Sequence, residues 1–210
     1  MKATLSITFI VTAIAAVAQD SDSVKKESAE IRRRLAVVMD SNAPSDELLT
    51  MSLQYSEIAV PILRDSLKAI GRTQKKLDRK AEIQADALAY VANKGAIDAT
   101  AQLCVEDPKL FCPYLERTLD YAEGRVNPFT LAYHALEGNQ ESVRKTVLEW
   151  VRSVLDFPHF QQRLAEAVVS RYGRRPETSE LLKDRLLSDV GTLPAGFWRE
   201  LDRAVKTQRQ

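Results

Sequence analysis

The chain is short of glycine, histidine and cysteine: seven, two and two residues in 210. Each shortage excludes something. No glycine-rich loop is present that could cradle a phosphate. The two histidines, His134 and His159, come without a second E-x-x-H, so a bundle-type metal site lacks its ligands. No G-x-S-x-G elbow presents a nucleophile. The two cysteines are not a C-x-x-C redox pair. Charge of one sign is missing too. The formal net charge is +1, which gives no reason to propose nucleic acid as a partner. The basic clusters Arg32-Arg33-Arg34, Lys75-Lys76 and Arg171 to Arg175 read as solvated helix faces. Alternating apolar and polar runs of strand length are absent. So are Asn-x-Ser/Thr acceptors, which is compatible with a bacterial secretory protein.

What is present begins at the N-terminus, MKATLSITFIVTAIAAVAQDSD. Lys2 precedes an uncharged stretch from Ala3 to Ala18, which closes in Ala16-Val17-Ala18. A basic start, a short apolar run and an A-x-A exit are the parts of a secretory signal peptide. Ser6, Thr8 and Thr12 interrupt the stretch, which is shorter than the roughly 20 residues that span a bilayer. Residues 1–18 are therefore expected to be cleaved between Ala18 and Gln19, giving an exported, periplasmic or extracellular protein. No later segment is apolar enough for a membrane span. Residues 19–26 read as a flexible polar start, 27–205 as one all-helical domain and 206–210 as a loose tail.

An exported chain meets an oxidising space, where cysteines pair. Cys104 and Cys112 stand eight positions apart, about 12 Å along a continuous helix. A disulfide tolerates no more than roughly 7 Å between α-carbons. A bridge therefore needs a chain reversal, which Asp107-Pro108 supplies as helix N-cap and first helical residue. The staple is the expectation; free thiols and a functional thiol site are its alternatives.

Apolar residues recur at helical spacing along nearly the whole mature chain. Ile31, Leu35 and Val38 with Met39 form one stripe, and Leu77, Ala81, Ala85, Leu88 and Ala92 another. Val143, Val147, Leu148, Val151, Val154 and Leu155 form a third. Phe160, Leu164, Ala167, Val168 and Arg171 follow, then Leu181, Leu182 and Leu186, then Phe197, Trp198, Leu201 and Val205. Glycine and proline sit between the stripes, at Gly71, Gly95, Pro108, Gly124, Pro128, Gly138, Pro158, Gly173, Pro176, Gly191 and Pro194. About ten short helices with tight connections suggest antiparallel pairs stacked side by side.

Three segments carry a coarse internal repeat: SEIAVPILRDSLKAIG, AEIQADALAYVANKGAIDATAQLCVEDP and HFQQRLAEAVVSRYGRRPETSELLKDRLLSD. Helix, glycine turn, second helix and acidic turn recur in two of them. This order resembles HEAT-type α-solenoid repeats, loosely, over residues 45–190. The resemblance implies a short solenoid in which Gly95 and Gly173 end first helices and the second helices face a concave side. An irregular helical bundle is the alternative fold.

The chemistry-bearing residues are sparse. His134 and Glu137 lie at i, i+3 and share a helix face, half of a metal pair; the simpler role is a histidine near a helix end. His159 follows Pro158 in a first turn. Carboxylate pairs suited to glycoside hydrolysis are Glu106 with Asp107, Glu116 with Asp120 and Glu137 with Glu141. Aromatic residues crowd the middle of the chain. They are read first as core, and otherwise as a groove at Tyr133, His134, Trp150 and Phe160, rimmed by Arg117, Arg125 and Arg144. No cofactor or metal is expected. The expectation is an exported, non-enzymatic helical-repeat binding or scaffold protein that recognises a protein or peptide partner in the cell envelope. A small exported hydrolase of cell-wall polymer, using paired carboxylates, is the second reading. A carrier of a lipid or small ligand is the third.

Overall fold

The computed structural model describes residues 24–40, 45–138, 140–172 and 193–208. The leader with its Ala18–Gln19 cleavage point, Gly173, and the Leu181, Leu182 and Leu186 stripe lie outside the described residues. Ten helices and no strand occur among those described. They are α1 (24–40), α2 (Ser45–Gln54), α3 (Ser56–Gly71), α4 (Arg79–Val91) and α5 (Lys94–Glu106). α6 (Pro108–Ala122), α7 (Pro128–Glu137), α8 (Glu141–Val154), α9 (Pro158–Tyr172) and α10 (Ala195–Gln208) follow. Helical backbone thus takes in residues 24–26 of the expected polar start and 206–208 of the expected tail.

The turn signals act as caps. Asp78 accepts the Ala81 N–H at 2.9 Å, Asn93 that of Ala96 at 2.9 Å, Asp107 that of Leu110 at 3.2 Å, and Asn127 that of Phe129 at 3.1 Å. Pro108 and Pro128 start α6 and α7, where a missing N–H costs nothing. Pro61 and Pro113 instead lie inside α3 and α6, each removing one helical hydrogen bond.

One expectation is corrected. Gly95 is not the turn residue between α4 and α5. It lies inside α5, two residues after its N-cap Asn93. The left-handed position belongs to Ala92, at φ 47° and ψ 42°. Sequence reading favours glycine there because a β-carbon strains that conformation. Here Asn93 fixes the next helix, and the buried Ala92 methyl packs in the core.

From α2 to α8 successive helices pack on one another, alternate helices pack from α2 to α9, and α5 also meets α8. α4 touches α2, α3, α5 and α6, and α5 touches α3, α4, α6 and α7. The even helices α2, α4, α6 and α8 therefore form one row, and α3, α5, α7 and α9 the other. α10 packs on α9. This is an all-helical stack of paired helices.

The core falls into two clusters. The N-terminal one holds Ile31, Leu35, Leu63, Leu67, Leu88 and Phe111. The C-terminal one holds Ile97, Leu115, Leu119, Phe129, Val147, Trp150 and Phe160, with Trp198 packed against it. Helices α5 and α6 contribute to both: Leu103 and Phe111 face one cluster, Cys104 and Leu115 the other.

The Cys104–Cys112 bridge joins these two helices, with α-carbons 4.7 Å apart. A single residue, Asp107, separates α5 from α6, so the chain reverses as the staple requires. Entropy of the unfolded loop alone makes such a short bridge worth about 2 to 3 kcal/mol.

Candidate functional site

Three of the four residues of the alternative groove reading are interior, as the first reading of them as core has it. Tyr133, Trp150 and Phe160 are buried. Phe129 joins Trp150 and Phe160 in a cluster with ring centroids 5.4 to 6.1 Å apart. Trp150 finds a partner for its indole N–H in Asp120, at 2.7 Å, which ties α8 to α6. His134 is apart from them, at the surface. Its Nε2 lies 2.7 Å from Asp98 of α5 and its Nδ1 3.2 Å from Glu137, which also pairs with Arg171 of α9. This network links three helices and is accounted for as a surface tie.

The rim arginines also disperse. Arg117 pairs with Asp86 at 2.5 Å and lies over the Tyr114 ring at 5.0 Å. Arg125 lies over Tyr90 at 4.4 Å. Arg144 is on α8.

The carboxylate pairs separate by environment. Glu106 is engaged by Lys68, Asp107 caps α6, and Glu137 is held by His134 and Arg171. Glu116 differs. Partial burial raises its carboxyl above the ordinary carboxylate range, and the charges of Asp120 and Glu149 add to that. None of the three expected pairs lines either cavity described next.

A concavity among the described residues is built elsewhere, around the turn between α6 and α7. It has about 530 Å³ and is lined by residues 123–127 with His159, Gln162, Arg163 and Glu166 of α9. The turn is locked from two sides. Arg125 Nη1 donates to the Tyr90 and Val91 carbonyls at the end of α4, at 2.5 and 3.2 Å. Arg163 Nη1 donates to the Glu123 carbonyl at 2.7 Å and that of Val126 at 3.4 Å. Asn127, besides capping α7, donates through Nδ2 to the Arg163 carbonyl at 2.7 Å. His159 Nε2 meets Glu123 Oε1 at 3.0 Å. Beside it stands Phe157, 54% exposed, with its ring 6.1 Å from that of His159.

A second cavity of about 500 Å³ lies between α9 and α10. It is lined by Gln162, Glu166, Val169 and Ser170 on one side and Glu200, Arg203, Ala204 and Thr207 on the other. Gln162 and Glu166 line both cavities, so the two lie side by side along α9, together a gutter in two parts. α10 sits close because Gly196 has no side chain: a β-carbon there would fall 2.1 Å from the Gln161 amide oxygen. Gln161 in turn donates to the Leu155 carbonyl at 2.8 Å.

The sequence singles out His159 only as a residue of a helix first turn and Arg125 only as the rim of the aromatic groove, and it does not single out Glu123, Gln162, Arg163 or Glu166. The last three follow His159 at i+3, i+4 and i+7, the polar face opposite the Phe160, Leu164 and Val168 stripe. That spacing alone reads as an ordinary solvated face. Walls from a turn 36 residues away and from α10 make it concave.

Among the described residues no group of three or more His, Cys, Asp or Glu is placed to hold a metal ion. Among them also, no helix is long and apolar enough to cross a membrane. No protein family, curated protein or solved structure matches the chain.

Proposed function

We propose that the protein is an exported, non-enzymatic binding or scaffold module, a short HEAT-like helical stack that recognises a protein or peptide partner in the cell envelope. The observation that carries this reading is the gutter along α9. It is the length of several residues, mainly polar at the turn end, where Val126 is part of the lining and the exposed Phe157 stands next to His159, and it includes Val169 and Ala204 at the α10 end. Packing of α2 to α7 on their first and second neighbours supports the solenoid part of the proposal. The leader and the disulfide support export.

Selection of displayed peptides on the folded, oxidised chain tests the function. A convergent set, competed by the free peptides and weakened by Phe157→Ala, is the expected result. Recovery of unselected sequences only would sink it. Intact mass of the product from a secreting host tests export. A mass beginning at Gln19 without free thiols is expected.

One observation favours the hydrolase reading: Glu116 keeps a raised carboxyl next to Asp120 and Glu149, as a general acid would. Release of labelled fragments from cell-wall polymer, abolished in Glu116→Gln, would establish it. No release is expected, because Asp120 is engaged by the Trp150 N–H and the group lies outside both cavities.

A further inference from the structure

The two sulfurs of the Cys104–Cys112 bridge have different surroundings. Cys104 is fully buried in the C-terminal cluster and stands third from the end of α5. Beside its Sγ, at 3.9 Å, is the hydroxyl of Thr146 on α8, which donates its own proton to the Ser142 carbonyl at 2.9 Å. A thiolate at Cys104 would thus lie in apolar surroundings, near the negative end of α5, next to a hydroxyl whose proton is already used.

Cys112 is only partly buried, packed against the same cluster, and is the fifth residue of α6. It stands close to the positive end of that helix, which favours a thiolate. Its neighbours on the helix face, Lys109 and Glu116 at i−3 and i+4, carry opposite charges and offset each other. Access is therefore what sets Cys112 apart. Thiolates exchange with disulfides, and only a sulfur that solvent reaches can meet a co-reactant from outside.

We propose that Cys112 is the exchange cysteine of the bridge, the sulfur through which it closes in the folded chain by reaction with a small solvent-borne disulfide. Cys112 gives its proton to solvent, and the thiolate attacks one sulfur of the small disulfide. The bond between that disulfide's two sulfurs breaks, one half leaves as a thiolate, and Cys112 carries the other half as a mixed disulfide. Cys104, once deprotonated, attacks Cys112 Sγ and expels the second half as a thiolate. Two electrons pass from the cysteine pair to the small disulfide, which takes up the two released protons and ends as two thiols. With the α-carbons 4.7 Å apart across the Asp107 corner, Cys104 is within reach for the second step. Reduction by a small thiol runs the same steps backward, with Cys104 as the leaving group. This holds whether or not the chain binds a peptide.

The test takes the full chain, reduced and freed of reductant, with its helicity checked by far-ultraviolet ellipticity. It is pulsed with iodoacetamide, which marks thiolates irreversibly. Trypsin cuts after Lys109, so the two cysteines fall on different peptides, 95–109 and 110–117. Labelling of Cys112 should outrun that of Cys104 by about tenfold or more, and in unfolding urea the two should agree within about twofold. Glutathione disulfide then probes the exchange itself. Cys104→Ala should form the mixed disulfide about tenfold faster than Cys112→Ala. Should an alanine variant lose helicity, the iodoacetamide ratio in the wild-type chain decides. Equal rates in the folded chain, faster reaction at Cys104, or no adduct on folded Cys104→Ala overturns the proposal. Helicity lost on reduction alone overturns it as well, because exchange would then pass through the unfolded chain.

Discussion

Ala92 and Gly95 show how a residue's place in the helix decides what it costs. Gly95 occupies helical backbone, where glycine is less stable than alanine by roughly 0.5 to 1 kcal/mol. A β-carbon there would meet nothing closer than 3.4 Å. Gly95→Ala should therefore stabilise the fold by about 0.5 kcal/mol or more, read as a higher thermal midpoint. A turn glycine would show the opposite. Glu116 gives the pH dependence at this scale. Its folded carboxyl titrates above its ordinary value of 4.5, chiefly because of partial burial. The protonated form is thus favoured by folding, and stability is lost as pH rises from the ordinary range through the raised one. Glu116→Gln should melt above wild type at pH 7 and together with it near pH 4. Screening at this half-open site limits the neutral-pH gain to about 0.5 kcal/mol. Sequence showed the i, i+4 spacing of Glu116 and Asp120. It could not show Glu149 arriving from α8, because that contact is made between helices.

At the scale of the element, the corner between α5 and α6 was the most legible part of the chain. Cys104, Asp107, Pro108 and Cys112 each act locally, and their spacing states the reversal. Serine at both cysteines should lower stability by about 2 to 3 kcal/mol in urea melts of the oxidised protein, with helicity retained. The helix stripes were legible for the same reason: periodicity is a local property, and Val143, Val147, Val151 and Val154 all face inward. The candidate groove was not. Tyr133, Trp150 and Phe160 carry the aromatic signal of a binding surface, but the same signal marks a core, and burial is settled only by what packs on top. The gutter on α9 had the reverse fault. Its residues look like solvated helix surface, and only the 123–127 turn and α10 make them a site.

At the scale of the whole molecule, two rows of helices enclose two apolar clusters that meet at α5 and α6. Both clusters draw side chains from this one stapled pair, so unfolding of either half disturbs the seam they share. The chain's two tryptophans are not shared between the halves. Trp150 is inside the C-terminal cluster and Trp198 packs against it, while the N-terminal cluster has neither. Light therefore distinguishes halves that circular dichroism sums. Emission near 340 nm reports on one end of the molecule, while ellipticity at 222 nm counts helices in both. In the oxidised protein the two urea curves should coincide. After reduction of Cys104–Cys112 the ellipticity should begin to fall before the emission shifts, and curves that still overlay would mean that packing at the seam couples the halves without the bridge. The uneven placement of two indoles makes the chain its own half-molecule probe, with no label added.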